Sequence, residues 1–401
     1  MKSFTALRNP ELHKVCIIPL ISNSTASMTW AIAVPYADSL NATILQINLI
    51  TTIWATMGIF LQVPFGILSD KLGRKRMLLI PQIMMLLGTV LRALATDANQ
   101  LIIASVVGGF AGGSFFPILL SIVGDVTSTE ERSKGIALFF TFSSIGMLIG
   151  PTVASLILTL PFAEMRNIYQ IDSVVQTFVV FYIVFRLKET KSDAARTSFR
   201  GNVSQLLREK GMLAIVITAA LYFLHSSIMN TYVPIYAEKE VGLPVSLIAS
   251  FSSYRNLGIV LIRLSSVAIL TRFSAKHFLI LMLALGGATA FSAPYLGSYL
   301  ALGLLMFFYG VSFGSTMLLS SVIVAGVSTT SNRGIANSIN SLAQSCGTMT
   351  QILTTSIAEN LGLMPVFALG GLLPFLATVP LTLLYKPKAE NSDWQENNSK
   401  D

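Results

Sequence analysis

One pattern recurs along the chain from Val15 to Leu384: an apolar run about as long as a lipid hydrocarbon layer is thick, then a short polar break. A layer of about 30 Å is crossed by about 20 helical residues, and inside it every backbone polar group must be satisfied within the helix. Twelve such runs can be read, near residues 15–36, 45–68, 77–96, 101–123, 135–158, 168–185, 212–236, 245–270, 278–293, 299–324, 334–358 and 364–384. The breaks carry turn formers such as Asp97-Ala98-Asn99, Gly242-Leu243-Pro244 and Gly297-Ser298. Only 11% of the side chains are charged, against about 25% in a soluble domain, so lipid has to be the main solvent. The expected fold class is an all-α polytopic membrane protein with twelve transmembrane helices.

The first run could be taken for a cleavable leader. It is long, polar at Ser22-Asn23-Ser24-Thr25 and followed at once by the next run, so it reads as span 1. Cys16 and Cys346 lie within runs and show no paired spacing, which suggests neither a disulfide framework nor a metal site.

The formal net charge is +8, and the loops that hold it decide its meaning. Of the 27 Lys and Arg residues, Arg166 and Lys239 fall in loops on one side, Arg92, Arg255 and Arg263 fall within spans, and all others fall on the side of the termini. Basic loops stay in the cytoplasm, so both termini are expected there, and the excess signals topology with no nucleic acid as partner. The longest break holds Arg186, Lys188, Lys191, Arg196, Arg200, Arg208 and Lys210. It divides the chain into a first six-helix bundle (1–187), a cytoplasmic linker loop (188–211), a second six-helix bundle (212–385) and a cytoplasmic tail (386–401).

The two halves repeat each other. Gly66-Ile67-Leu68-Ser69-Asp70-Lys71-Leu72-Gly73-Arg74-Lys75 joins spans 2 and 3, and 201 positions later Val267-Ala268-Ile269-Leu270-Thr271-Arg272-Phe273-Ser274-Ala275-Lys276 joins spans 8 and 9. The same shift lays Val126-Thr127-Ser128-Thr129 on Val327-Ser328-Thr329-Thr330 and Arg132 on Arg333. Two matches at one offset indicate a duplicated six-helix unit.

At these residues the chain resembles the major facilitator superfamily, whose signature loop after the second helix is fitted by Gly66, Leu68, Ser69, Asp70, Lys71, Gly73, Arg74 and Lys75. The resemblance covers nearly the whole chain and implies two pseudo-symmetric six-helix bundles that form a transporter. It implies that Asp70 lies against the start of span 11, near Arg333-Gly334, where the partial positive charge of a helix N-terminus attracts it. It implies as well that Arg74 pairs with Asp125 at the end of span 4. Gly66, Asp70, Gly73, Arg74, Asp125, Arg132 and Arg333 would then make up a cytoplasmic latch between the halves. Gly73 permits a tight turn and Gly66 a close helix approach. The second copy has Thr271 and Ala275 at the places of Asp70 and Arg74, so a mirrored latch is weak or absent.

No Gly-x-x-x-x-Gly-Lys phosphate loop exists, so transport is expected to be secondary or passive. Gly146-x-x-x-Gly150-Pro151 in span 5 resembles the signature of the superfamily's drug:proton antiporters, although Ala154-Ser155 stand where that signature has two glycines. Small-residue packing with a proline kink is the alternative reading. Ser105 stands where such exporters carry an arginine in span 4. Asp172 and Glu359 read as lying near the outer surface and Asp38 as a loop residue, so no mid-span carboxylate is expected to carry protons. His225 is the one mid-span side chain that titrates near neutral pH. No cofactor is expected, and proton coupling stays open.

The resemblance assigns spans 1, 4, 7 and 10 to the cavity, spans 2, 5, 8 and 11 to gates and walls, and the others to lipid. On that assignment Asn23, Thr25 and Trp30, Ser114, His225 and Asn230, and Tyr309 could meet substrate. Asn340 and Gln344 join them on a polar face of span 11 that Asn337 and Gln351 extend, with interhelical hydrogen bonding as the alternative role. Arg255 lies ten residues into span 8, about 15 Å deep and out of reach of either surface, where an arginine usually faces a cavity or a partner. Arg92, near the end of span 3, is expected to snorkel outward.

The function expected is secondary active transport of small molecules by alternating access across the plasma membrane, with export of small organic or amphipathic compounds as the expected direction. A monomer in the lipid bilayer with a small-molecule substrate suffices for it. Import or uniport of an organic anion is the alternative, and a transporter-like membrane sensor the alternative of another class. An intramembrane enzyme is disfavoured by the lack of His-Glu-x-x-His and of paired mid-span aspartates.

Overall fold

A computed structural model describes residues 9–112, 114–128, 131–190, 209–270, 274–327 and 333–385. Among these residues it shows twelve helical passages: α1 (Pro10–Ala31, bent by 45° into Ala33–Ser39), α2 (Ile44–Leu72), α3 (Arg74–Leu94), α4 (Ala98–Gly112, continued as Phe115–Val126), α5 (Arg132–Ile157) and α6 (Met165–Arg186) come first. The second half consists of α7 (Lys210–Lys239), α8 (Val245–Leu270), α9 (Ala275–Ser292), α10 (Tyr299–Val327), α11 (Arg333–Met349, a 3-10 turn Thr350–Leu353, then Thr354–Leu361) and α12 (Leu363–Leu383). Among the described residues nine helices are long and apolar enough to cross a membrane, and ten if bent α1 counts as one. The other two passages are α2, with a described apolar stretch Ile44–Ile53, and α11, whose amides make it polar.

Local chemistry moves several ends from where hydropathy puts them. α1 starts at Pro10 because the Asn9 side chain accepts from the N–H groups of Glu11 and Leu12, with proline free to occupy the first turn. α3 starts at Arg74, directly after Gly73, whose φ of +106° suits glycine alone at this turn. α11 is broken after Met349, where one straight span is expected.

Each bundle is held by close backbone approach. A Cβ on Gly146 of α5 would meet the Leu20 carbonyl of α1, and one on Gly150 would meet that of Ser24. In the second half Gly347 of α11, 201 positions after Gly146, lies in the same way on the Ala220 carbonyl of α7. The duplication thus extends to the packing, where small residues let helices touch in a solvent that gives no hydrophobic drive for association. Rows of exposed apolar side chains, such as Ile80, Ile83 and Leu87 on α3, Phe178, Phe181 and Phe185 on α6, and Leu372, Phe375 and Leu376 on α12, form the surface for lipid.

The cores are unequal on the two faces. On the face opposite the chain ends, one apolar cluster runs through both bundles, from Met28, Ile47 and Tyr169 to Tyr232, Phe251 and Tyr309. On the face of the chain ends each bundle has a core of its own, around Leu12, Leu119 and Phe139 in the first and around Met212, Leu283 and Leu319 in the second. The bundles are fused at one face and separately packed at the other.

Three charged residues lie elsewhere than expected. Asp38 falls within the short helix Ala33–Ser39, where its carboxylate meets Lys239 Nζ at 2.7 Å. Asp172 is 2% exposed inside the first bundle, not near the surface, because the Thr89 hydroxyl of α3 and the Gln176 amide of its own helix cover it. Arg92 turns across to α4, where its guanidinium donates to Ser105 Oγ at 3.4 Å, instead of running outward. Ser105 thereby takes a specific role as partner of an arginine from the neighbouring helix.

Candidate functional site

Arg255 stands where the bundles meet. Gly310 and Gly314 bring α10 onto the α8 backbone at Arg255 and Ile259, and Gly258 lies in turn on the Phe307 carbonyl of α10, so the arginine's main chain is fixed. Its Nη1 donates to Asn230 Oδ1 of α7 at 2.6 Å, and its Nη2 donates to Asn256 Oδ1 at 3.2 Å. Asn230 donates onward to Tyr309 Oη of α10 at 3.0 Å, and the Tyr309 and Ser226 hydroxyls lie 2.6 Å apart. Asn256 reaches the other bundle, donating to the Met147 carbonyl of α5 at 2.6 Å. Among the described residues no carboxylate forms an ion pair with Arg255, so neutral amides are the partners of its charge. Trp30 of α1 and Asn230 face each other across a cavity of about 20 Å³, lined also by Pro234, Phe251 and Met306, with room for about one water.

Above this site, toward the face opposite the chain ends, the bundles are tied by a buried polar network. Asn48 of α2 donates to Tyr232 Oη at 3.0 Å and to Thr355 Oγ1 at 2.9 Å. Gln351 of α11 donates to Asn48 Oδ1 at 2.8 Å and to Thr231 Oγ1 at 2.6 Å. The Thr152 and Ser253 hydroxyls join α5 to α8 at 2.8 Å, and the Asp38–Lys239 pair lies at the rim. By the internal repeat, α2–α11 and α5–α8 are the two equivalent contacts between halves, and both are closed here by reversible hydrogen bonds. Beyond them opens a shallow vestibule of about 520 Å³ that reaches from Tyr36 and Glu164 to Pro244 and Ser246.

Asn48→Ala removes three of these bonds, each worth about 0.6 to 2 kcal/mol in a membrane protein. The expected result is a shift of several-fold or more toward opening at this face. With Cys16 and Cys346 replaced by serine, labelling of Ser246→Cys by a membrane-impermeant thiol reagent should speed up accordingly. An unchanged labelling rate would show that Asn48 does not hold the face closed.

At the opposite face the signature loop takes the form its residues suggest. Arg74 Nε lies 3.2 Å from Asp125 Oδ2, joining α3 to the end of α4, and Arg74 Nη1 donates to Ser69 Oγ at 3.0 Å. Glu189, just past α6, accepts from the N–H groups of Lys75 at 2.9 Å and Arg76 at 3.3 Å, an anion on the N-terminus of α3. A Cβ on Gly73 would push that flexible carboxylate aside, whereas the positive φ at this turn is what requires glycine. Arg132 donates to the Gly124 carbonyl at 3.1 Å. Gly66 lies within α2, and its surroundings and the side chains of Asp70 and Arg333 lie outside what is described.

Residues 15–316 match the family model of the Major Facilitator Superfamily. The chain belongs to this superfamily. It is 21% identical over 332 residues to multidrug resistance protein 2 of Bacillus subtilis (strain 168), a match that covers 80% of this chain and 82% of that protein. It is 27% identical over 194 residues to YdgK of the same organism, an uncharacterized MFS-type transporter, covering 47% of each. The chain thus spans about half the length of YdgK, and 24% of multidrug resistance protein 3 of that organism. A mutant of the nucleoside transporter NupG has the same fold, with a TM-score of 0.79 over 94% of this chain and 100% of that one at 15% identity. A mutant of a peptide transporter POT superposes with a TM-score of 0.77 over 92% and 93% at 13% identity. The chain is a multi-pass membrane protein.

Within this superfamily fold the candidate residues separate into groups. Trp30, Asn230, Arg255 and Tyr309 come together at the interface of the bundles. Asn23 does not join them: it donates to Ser143 Oγ at 2.7 Å, between α1 and α5. His225 lies within the second bundle, fully buried, with Nδ1 at 2.9 Å from the Gly370 carbonyl of α12 and Nε2 unpartnered beside Gly286 of α9. On α11, Asn340 is buried with its Oδ1 unpartnered, and Gln344 is half-buried. Gly146 and Gly150 act in packing, and Pro151 follows them on the same helix. The gate residues Asn48, Thr231, Tyr232, Thr354 and Thr355 escaped the sequence reading. Of these, Asn48 carried a signal, an amide set between Ile47 and Leu49 in the apolar opening of α2.

Proposed function

We propose that this transporter is an exporter of small organic compounds, set in the plasma membrane with both termini cytoplasmic and working by alternating access as a monomer. The observation that carries the reading is the inequality of the two faces: a shared core and a polar seam at one, separate cores at the other. A two-state carrier needs contacts of that kind, strong enough to seal one side and discrete enough to exchange for a mirror-related set. Export rests on the multidrug-resistance relatives and on the basic loops beside the termini, which put the sealed face outside. Under this topology the structure is the inward-facing state, in which cargo enters from the cytoplasm.

Arg255 favours a second reading of the cargo. Its charge is met by amide oxygens of Asn230 and Asn256, an arrangement that can exchange an amide for an anionic group without displacing a carboxylate, so an organic anion suits the charge of the site once the bundles open around it. One experiment separates the readings. In inside-out vesicles given a panel of cationic, neutral and anionic aromatic compounds, an exporter accumulates substrate in the lumen, by tenfold or more, only when a proton gradient is imposed. Equal flux in both directions without a gradient would establish uniport, and no flux of any compound would defeat the proposal.

A further inference from the structure

We propose that Asp172 is the proton-exchange site of this transporter, a carboxylate housed inside the first bundle and away from the cargo site; the idea rests on the transporter reading above. Asp172 lies seven residues into α6, about 10 Å from the helix start and so about a third of the way through the membrane. Its surroundings accommodate both protonation states. Gln176 Nε2 donates to Asp172 Oδ1 at 3.0 Å. Thr89 Oγ1 of α3 lies 3.1 Å from Asp172 Oδ2 and 3.0 Å from the Met85 carbonyl, yet it has one hydrogen to give. When the carboxylate is ionised, Thr89 donates to it. When the carboxyl is protonated, its O–H donates to Thr89 Oγ1, and the threonine hydrogen turns to Met85. Neither state leaves a buried donor without an acceptor, and the rotation of one hydroxyl separates the two.

The charged and titratable groups around it support exchange. From α3, Arg92 is the cation that acts on Asp172, but it donates to Ser105, and no ion pair includes Asp172 among the described residues. The rings of Tyr169 of α6 and Tyr36 of α1 lie 4.8 Å apart, tilted by 36°, and their hydroxyls donate to the carbonyls of Thr29 and Arg92. A carboxylate clamped by a guanidinium would stay ionised; this one has only neutral donors in contact.

The site is also wired to a moving part. Gln176 Nε2 spends its second hydrogen on Thr25 Oγ1 of α1 at 3.0 Å, while its Oε1 accepts from Gln82 Nε2 of α3 at 2.7 Å. Gln82 Oε1 is buried without a partner, so the chain of amides has an acceptor to spare for another arrangement. α1 carries Thr25 five residues before Trp30, which faces the interface cavity, and bends after Ala31. Loss of the proton, taken up by water as the carboxyl becomes carboxylate, strengthens the pull on Gln176 and through it on α1. The coupling thereby reaches the cargo site without a carboxylate inside it.

The test needs no cargo. Infrared difference spectra of purified protein between about pH 5 and about pH 9 should show the C=O stretch of a carboxylic acid that is lost in Asp172→Asn and kept, displaced, in Asp172→Glu. Spin labels at Ser39→Cys and Ser246→Cys, with Cys16 and Cys346 replaced by serine, should show a distance change with pH across the sealed face that Asp172→Asn abolishes. If Asp172→Asn does not fold, Thr89→Val serves, and should move the midpoint of the infrared titration. A carboxylic-acid band unchanged in Asp172→Asn, a label distance that still follows pH in it, or an unmoved midpoint in Thr89→Val would each overturn the proposal. Because no transport is measured, such a result would leave the exporter reading standing, and a failure of the vesicle assay is read separately from a failure here.

Discussion

Gly146→Leu and Gly150→Leu are each expected to cost the transporter its folded state. A side chain at either position would meet main-chain carbonyls of α1, those of Leu20 and Ser24, which cannot rotate away as a side chain can. Overpacking of a close contact costs about 1 to 3 kcal/mol where side chains can yield, and more where backbone must move. Since α1 also carries Asn23, Thr25 and Trp30, any shift of it disturbs the interface of the bundles. The measurement is the yield of monodisperse protein in detergent with its melting temperature. Gly297→Ala, with nothing within 4 Å of its added Cβ, is the control and should match the parent. Normal yield and melting of Gly150→Leu would show that α1 and α5 do not touch at this glycine, and would return the Gly146-x-x-x-Gly150-Pro151 run to a role in transport alone.

Arg255→Gln is expected to abolish discrimination in favour of anionic cargo. A hydrogen bond to a charged group is worth about 1.5 to 3 kcal/mol, so the apparent affinity for an anionic compound should fall by about 10- to 100-fold while that for neutral compounds changes little. Arg255→Lys keeps the charge but cannot span Asn230 Oδ1 and Asn256 Oδ1 together, so it should lie between the two. Folding should survive, because an arginine held at mid-membrane depth costs about 2.5 to 3.5 kcal/mol by insertion scales and glutamine relieves that cost. Uptake by inside-out vesicles checks the prediction. An equal fall for anionic and neutral compounds would assign Arg255 to the packing of α8 against α5 and α7.

Much of the fold could be read from the sequence because the bilayer leaves so few choices. With no water to satisfy backbone groups, a run of about 20 apolar residues has to be a helix, and the loops with basic residues have to stay on one side. The duplication of the chain at an offset of 201 and the signature loop around Asp70 then indicated the superfamily, and the Arg74–Asp125 pair lies where the loop implied. Arg255 announced itself for the same reason, as a charge in apolar surroundings. Hydropathy could not place the bend after Ala31 or the 3-10 turn after Met349, since both depend on which neighbour offers a partner to the interrupted backbone.

The tertiary structure alone decided which polar residues meet. Asn23, Asn230 and His225 are all amides or imidazoles within apolar helices, yet one binds α5, one binds Arg255 and one binds the backbone of α12. A helix turns 100° per residue, so a single position of difference separates the interface of the bundles from the inside of one bundle. Asp172 shows the limit most clearly. Its distance along α6 is legible, but its burial depends on Thr89, Gln176 and Thr25 arriving from three helices, and no one-dimensional pattern records that convergence. The sequence by itself determined that this chain spans a membrane as two related bundles, because solvation acts on each segment alone. Which side is sealed, and which charge is left with neutral partners, only the packing of distant segments could decide.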